Sequence, residues 1–182
     1  SEKILIFIVA YNSEKTILSV LKRIPTSIAK LNHQILIIDD SSKDTTFDTA
    51  VDNLSQFNDL NIKVLFNPEN QGYGGNQKIG YYYAIKNNFD YVVLLHGDGQ
   101  YAPEELPKLL QEIKNGKNDV VIGSRMINKK KALDGGMPMY KFIGNIILTK
   151  IQNFLLNTKL AEFHSGYRVY SVKTLKKIPF IL

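Results

Sequence analysis

An unbroken apolar run near the amino terminus constrains the fold more than any other feature. Lys3–Ala10 is apolar at every position after the lysine. A strand with one face in water alternates apolar and polar side chains, so a strand that is apolar throughout is covered on both faces. Such strands lie in parallel sheets that carry helices on both sides. The run therefore predicts a central strand of a parallel sheet.

Further apolar runs alternate with segments that have helical periodicity. Strands are predicted at Gln34–Asp39, Lys63–Phe66, Tyr91–His96 and Asp119–Ile122, and helices over 17–24, 47–57, 79–85 and 103–113. Ser13 is expected to cap the first helix, and Pro25 to end it. Strands that alternate with helices of this length predict a doubly wound α/β fold, with a mostly parallel sheet flanked by helices.

Composition narrows the class of protein. The 182 residues suit one domain, and no run of about 18 apolar residues could span a bilayer. The absence of cysteine excludes disulfides and thiolate metal sites, and no secretory signal pattern opens the sequence, which together favour the cytoplasm. A net charge of +6 suits phosphates, nucleic acid or an anionic membrane. Nucleic-acid binding is disfavoured, because aromatic residues are not interleaved with the basic ones.

Carboxylates follow two of the predicted strands. Asp98–Gln100 ends the strand at His96, and a carboxylate there offers the oxygen ligand that Mg²⁺ or Mn²⁺ prefers beside a diphosphate. The alternative is an ordinary turn or cap residue. Asp39 and Asp40 end the second strand, where acidic side chains can bind a base or a ribose. Helix capping explains the nearby Asp44 well but not this pair.

Four further segments have a spacing or a charge that bears on function. Gly72–Gly75 fails the dinucleotide fingerprint, because Gln77 stands where its third glycine would be. Arg125 ends the fifth strand with a cation suited to phosphate. The short segment Glu162–Arg168 contains a carboxylate at Glu162, an imidazole at His164 and a guanidinium at Arg168. Phe142–Leu155 has the pattern of a basic amphipathic helix, which would lie on a membrane surface or pack against the sheet.

Taken in order, these motifs resemble family 2 glycosyltransferases of the GT-A fold. The segments that carry the resemblance are Val9–Asn12, Ile37–Asp44, Asp98–Glu104, Gly123–Arg125 and Ser165–Arg168. They are most similar to the branch of dolichyl-phosphate mannose synthases and bacterial polyprenyl-phosphate glycosyltransferases. The resemblance implies one catalytic domain over 1–182, with a nucleotide-sugar part at 1–125 and an acceptor-side part at 126–182. The apolar end of the sequence, at Phe180–Leu182, suggests that the chain is truncated at the carboxyl terminus.

The resemblance also implies roles for individual residues. Nucleotide-sugar binding falls to Ala10, Tyr11, Asn12, Asp39, Asp40 and Asp98, and a divalent cation, Mn²⁺ or Mg²⁺, to Asp98, Gln100 and His96. Catalytic roles fall to Asp98, Arg125, Glu162 and His164, and acceptor binding to Arg125, Lys141, Ser165 and Arg168. Three positions depart from the usual pattern: His96 and Glu162 stand where Asp is common, and Lys141 where Arg is common.

The implied reaction is an inverting transfer from a nucleoside diphosphate sugar to a polyprenyl phosphate, at the inner face of the membrane, with peripheral contact to anionic lipid. One alternative acceptor is a saccharide hydroxyl in cell-surface polysaccharide synthesis, which would need Glu162 or His164 as a base. A signalling receiver domain is the alternative from another class, with Asp98 as phosphoacceptor. Arg125, however, stands where a receiver would have lysine.

Overall fold

A computed structural model describes residues 1–124 and 138–180, apart from the side chain of Lys141. Arg125 therefore lies outside the described residues. The chain divides into two units, one formed by 1–121 and 167–182 and the other by 122–166. Part of the predicted acceptor-side segment, 167–182, thus belongs to the first unit.

Strands and helices alternate along most of the chain. In order, the elements are β1 (Ile4–Ala10), α1 (Ile17–Lys22), α2 (Thr26–Ala29), β2 (His33–Asp39), α3 (Thr46–Asp52), a 3₁₀ turn (Leu54–Phe57), β3 (Ile62–Phe66), α4 (Gly72–Lys86), β4 (Tyr91–His96), a 3₁₀ turn (Pro103–Glu105), α5 (Leu106–Lys114), β5 (Val120–Ile122), α6 (Met139–Leu156), β6 (Arg168–Ser171) and α7 (Val172–Leu175). The sheet order is β3-β2-β1-β4-β6-β5. The pairs among β1 to β4 are parallel, and β6 runs antiparallel to β4.

The central strand is buried on both faces, as its composition predicts. Ile4, Ile6 and Ile8 pack into a core with residues of α1, α2 and α5. The alternating residues Leu5, Phe7 and Val9 pack into a second core with residues of α4 and α7. Both helical layers therefore rest on the same strand, and the predicted α/β fold with a mostly parallel sheet is confirmed.

Helix α4 lies unusually close to the sheet. A Cβ atom added to Gly80 would lie 2.1 Å from the ring of Phe7, which is well inside van der Waals contact. Only glycine fits at this position without moving the helix or the strand. The contact between Gly80 and Phe7 therefore fixes the distance between α4 and β1, and so how near the amino-terminal half of α4 comes to the carboxyl ends of the strands.

Three details differ from the sequence-based expectations. The fourth helix begins at Gly72 rather than near Ile79, because its glycine-rich first turn has the composition of a loop. Ser13 does not cap α1 through its side chain; its backbone carbonyl accepts the amides of Thr16 and Ile17, and its hydroxyl donates to Tyr11. Strand β6 and the short helices α2 and α7 are elements that were not predicted from the sequence.

The second unit contains the long helix α6. Asn157 ends this helix in the left-handed conformation, with φ of 49°, and the amide of Thr158 donates to the carbonyl of Asn153. The Asn153 side chain then accepts the amide of Leu160, which fixes the chain as it leaves the helix. Over the described residues, no helix is both long and apolar enough to cross a bilayer.

Candidate functional site

The parallel register brings several predicted residues to one edge of the sheet. Ala10 pairs with Asp39, and Val9 pairs with His96. The ladder continues past the strands, because the amide of Asp40 donates to Ala10 and the amide of Gly97 donates to Val9, both at 2.9 Å. The carboxyl ends of β1, β2 and β4 therefore lie side by side, which is where open α/β sheets bind ligands.

A cavity of about 750 Å³ opens at this edge, and we call it the strand-end cavity. It lies wholly within the first unit. Its lining consists of Val9, Ala10, Tyr11, Ser13, Asp40, Ser41, Ser42, Lys43, Asn70, Gly72, Tyr73, Asn76, His96 and Asp98. The volume is ample for a ligand of nucleotide size. Of the predicted donor-binding residues, Ala10, Tyr11, Asp40 and Asp98 line it, whereas Asn12 and Asp39 lie outside its lining.

Asp40 connects β2 to the start of α4. Its carboxylate Oδ1 accepts hydrogen bonds from the Asn67 side chain and the Gln71 amide, both at 2.8 Å. Its backbone carbonyl accepts the Asn70 side chain at 2.8 Å. Asp40 is thus a buried structural carboxylate that also lines the strand-end cavity.

Asp39 has a different part in the same turn. Its Oδ1 accepts the amide of Ser42 at 2.9 Å and the Ser42 hydroxyl at 2.6 Å. Because Asp39 is almost fully buried, it shapes the turn that carries Ser41 and Ser42 to the cavity. Asp39, which was predicted to bind the donor, therefore contributes to the turn and lies outside the cavity lining.

The loops after β1 and β2 hold each other by reciprocal hydrogen bonds. The Asn12 amide donates to the Ser42 hydroxyl at 2.8 Å, and the Asn12 side chain accepts the amide of Lys43 at 2.9 Å. The Ser13 amide donates to the Thr46 hydroxyl at 2.7 Å. Asn12, in the left-handed region at φ 49°, therefore fixes this corner of the cavity rather than lining it.

Asp98 stands on a turn between two glycines. Its Oδ1 accepts the amide of Gln100 at 3.0 Å, and its side chain is exposed where it lines the cavity. Gly99 has a φ of +75°, which favours glycine, and a Cβ on Gly97 would lie 3.2 to 3.3 Å from neighbouring atoms. Gln100 is exposed and lies outside the cavity lining.

Aromatic rings surround His96 at the cavity wall. Nε2 of His96 lies 2.9 Å from the hydroxyl of Tyr73, and the His96 ring makes an edge contact with Tyr101. Burial raises the pKa of Tyr73 to about 12, so its hydroxyl stays protonated at neutral pH. The imidazole is therefore oriented by its neighbours beside Asp98.

The chemistry of this corner fits a divalent cation that is shared with a ligand. Within residues 1–124 and 138–180, no three acidic, histidine or cysteine side chains cluster as a complete metal site. Asp98 and His96 could supply one or two ligands, and the remaining positions would fall to diphosphate oxygens and water, which is how Mg²⁺ is commonly held in nucleotide sites.

In the second unit, Glu162 is buried and hydrogen-bonded to polar side chains. Glu162 is 1% exposed, and its two oxygens accept the Ser124 hydroxyl at 3.0 Å and the Asn145 amide group at 2.8 Å. Ser165 is fully buried and donates to the carbonyl of Gly123, whereas His164 is exposed. Glu162 and Ser165 therefore lie in the same unit as part of its internal hydrogen bonding.

The remaining predicted residues lie elsewhere or outside the description. Arg168 belongs to β6 in the first unit, opposite Leu94, and donates to the hydroxyl of Tyr170. Arg125 falls outside the described residues. The backbone of Lys141 lies in α6, but its side chain is outside the description.

Several cavity residues were missed from the sequence. Tyr73 and Asn76 lie on the first turns of α4, a segment examined only as a dinucleotide fingerprint. Lys43 contributes a cation to the cavity that Asp40 also lines. The cluster of amide side chains at Asn67, Asn70 and Gln71 was the available signal, since polar side chains that follow a strand of a parallel sheet lie at the edge where ligands bind.

Comparison with known proteins adds independent evidence. The profile of glycosyl transferase family 2 matches residues 5–179. The low-salt glycan biosynthesis hexosyltransferase Agl6 of Haloferax volcanii is 33% identical over 75% of this chain, which spans 30% of that relative. The UDP-N-acetylglucosamine–dolichyl-phosphate N-acetylglucosaminyltransferase of Methanococcus voltae is 33% identical, over 95% of this chain and 71% of its own length.

A solved structure supports the fold. Glucosyl-3-phosphoglycerate synthase of Mycobacterium tuberculosis, in complex with Mn²⁺, UDP and phosphoglyceric acid, matches 98% of this chain and 59% of its own, with a TM-score of 0.69 and 18% identity. The receiver alternative is not favoured, because the family profile covers nearly the whole sequence. The chain belongs to glycosyl transferase family 2.

Proposed function

We propose that this chain transfers a sugar from a nucleoside diphosphate sugar to a polyprenyl phosphate at the cytoplasmic face of a membrane. One observation carries the donor half of the proposal. Two carboxylates from different strand ends, Asp40 and Asp98, line one strand-end cavity together with a lysine, Lys43. These groups suit a base or ribose at one end of the cavity and a metal-bound diphosphate at the other.

The donor would lie across the edge of the sheet. Ala10, Tyr11 and Asp40 would contact the nucleoside, and Asp98 with His96 would hold a divalent cation, Mn²⁺ or Mg²⁺, on the diphosphate. Such a cation neutralises charge that develops on the leaving diphosphate. The glucosyl-3-phosphoglycerate synthase that shares this fold was crystallised with Mn²⁺ and UDP, which supports a divalent cation beside the nucleotide. Gln100 would act through its backbone, since its amide holds the Asp98 carboxylate.

The chemistry requires a nucleophile opposite the leaving group. An acceptor oxygen forms a bond to the anomeric carbon while the bond from that carbon to the diphosphate oxygen breaks, so the configuration inverts. A polyprenyl phosphate oxygen is already anionic and needs no strong base, whereas a saccharide hydroxyl must lose a proton. Arg125, Lys141 and Arg168 are the cations proposed for the acceptor phosphate, with Ser165 in the same region of the sequence.

Helix α6 supports a membrane-linked acceptor. Its exposed apolar side chains include Met139, Tyr140, Ile143, Ile147, Ile151, Phe154 and Leu155. The helix sequence contains two lysines and no acidic residue. An exposed apolar face with basic flanks fits the surface of an anionic membrane, where each basic residue contributes about 1 kcal/mol. The dolichyl-phosphate acceptor in the name of the Methanococcus relative points to the same class of acceptor.

A transfer assay tests the proposal. Radiolabelled nucleotide sugars are offered with either a short polyprenyl phosphate or a neutral oligosaccharide, in Mn²⁺ and in EDTA. We expect label in the lipid only when Mn²⁺ is present, and none with Asp98→Ala. Label that enters the oligosaccharide alone would replace the lipid acceptor by a saccharide hydroxyl. Equal transfer in EDTA would refute the metal assignment.

A further inference from the structure

The turn that carries Asp98 has little rigidity of its own. Gly97 and Gly99 flank the aspartate, and glycine has more backbone freedom than any other residue. The Asp98 carboxylate is exposed, and Gln100 is its backbone partner in the turn. A ligand site on such a turn gains precision only if other elements hold the turn.

Helix α1 contacts the turn from both of its ends. At the start of the helix, the Thr16 hydroxyl donates to the carbonyl of Gly97 at 2.7 Å. Just beyond its end, Nη1 of Arg23 lies 3.4 Å from the carbonyl of Gly99. The two carbonyls on either side of Asp98 are thus held by one helix.

Arg23 is itself held in place by the segment that follows the turn. Its Nε and Nη2 donate to the two carboxylate oxygens of Glu104 at 2.7 and 3.0 Å. This two-bond geometry fixes the plane of the guanidinium and leaves Nη1 directed at Gly99. The hydrogen bond to Glu104 raises the pKa of Arg23, against the effect of burial, so the guanidinium stays protonated.

We infer that Arg23 is a positioning residue for the cation site. By bridging the carbonyl of Gly99 and the carboxylate of Glu104, it fixes the loop that carries Asp98. The Asp98 carboxylate is therefore in position before any ligand binds. This inference rests on the proposed function, because it gives Asp98 the cation. Lysine could not replace arginine fully here, since an ammonium cannot form the planar fork.

Three variants of the full chain separate this role from a general effect on stability. Arg23→Met keeps the aliphatic stem and removes the fork, and Arg23→Lys keeps the charge. Lys108→Met is the matched control, because it removes the neighbouring Lys108–Glu105 ion pair of 2.7 Å.

The first measurement is amide hydrogen exchange in the protein without ligands. The Gln100 amide donates to Asp98 Oδ1, so its protection reports the position of that carboxylate. We expect Arg23→Met to speed exchange at Gln100 at least fivefold, Arg23→Lys to have an intermediate effect, and Lys108→Met to leave the rate unchanged. Wild-type exchange in Arg23→Met would overturn the inference.

The second measurement is Mn²⁺ binding by calorimetry in the presence of UDP. We expect Arg23→Met to weaken Mn²⁺ binding at least fivefold, while UDP binding in EDTA changes less than twofold. Equal weakening of both would indicate a general loss of structure and overturn the positioning role. If the wild-type protein bound no Mn²⁺ with UDP, the proposed function would fail, whereas the exchange rates would still decide whether Arg23 fixes the turn.

Discussion

The hydroxyl oxygen of Tyr73 lies 2.9 Å from Nε2 of His96, so a residue at the start of α4 orients a ring at the end of β4. The two side chains also make a ring contact, with centroids 5.1 Å apart. Because His96 and Asp98 both line the strand-end cavity, this hydrogen bond connects the proposed cation site to α4, whose first turns line the same cavity.

We expect Tyr73→Phe to weaken nucleotide-dependent Mn²⁺ binding about fivefold. The substitution removes one hydrogen bond, worth about 1 kcal/mol, and keeps the ring. Calorimetry with UDP present measures the effect. Tyr82→Phe is the control, because Tyr82 is 51% exposed on the same helix and lies outside the cavity lining. Unchanged affinity in Tyr73→Phe would mean that the orientation of His96 has no bearing on the site.

Restoring a carboxylate at position 96 should change the metal preference. We expect His96→Asp to raise transfer with Mg²⁺ relative to Mn²⁺, because hard cations favour oxygen over imidazole nitrogen. The ratio of initial rates in the two metals, each at saturation, is the measurement. A ratio equal to that of the wild-type protein would place His96 outside the coordination of the ion.

Glu162 distinguishes the two classes of acceptor. We expect Glu162→Gln to retain most of the transfer to a polyprenyl phosphate, because an anionic oxygen needs no base. The amide oxygen can accept from Asn145, and the amide NH2 can donate to the hydroxyl oxygen of Ser124 in place of the present bond. A loss of about 100-fold or more would instead indicate general-base catalysis. Thermal unfolding of the variant provides the control for folding.

Helix α6 should bind anionic vesicles through its exposed apolar side chains. We expect Phe154→Glu to weaken binding to vesicles that contain phosphatidylglycerol about tenfold or more, since Phe154 is 85% exposed and burying a phenyl ring contributes about 1.5 to 3 kcal/mol. Co-sedimentation measures the effect. Tyr82→Glu makes a similar change in charge in the other unit and should leave binding intact. Wild-type binding by Phe154→Glu would exclude this face as the membrane contact.

The sequence predicts the positions of Asp40 and Asp98 well, because both follow from one physical regularity. Parallel strands of similar length end at the same edge, so a carboxylate after each buried run must lie near the other. The structure has this arrangement: Ala10 pairs with Asp39 and Val9 pairs with His96, so the two carboxylates follow neighbouring strand ends.

The surroundings of these carboxylates could not be predicted in the same way. Asp40 binds Asn67 and Gln71, and Tyr73 reaches His96, because α4 begins seven residues before its apolar periodicity does. Glycines in the first turn of a helix have the composition of a loop, so a local pattern does not reveal that start. Strand β6 was missed for a different reason: it has only four residues, and its pairing with β4 is a tertiary contact that no local pattern reveals.

The near contact between Gly80 and Phe7 has a consequence for ligand affinity. Gly80 lies two turns along α4 from Gly72 and Tyr73, which line the strand-end cavity, and any side chain at position 80 would push the helix outward from the sheet. A buried residue that does not line the cavity thus sets how far apart its walls lie. Substitution there would act on nucleotide affinity from a distance, through the spacing of helix and strand alone.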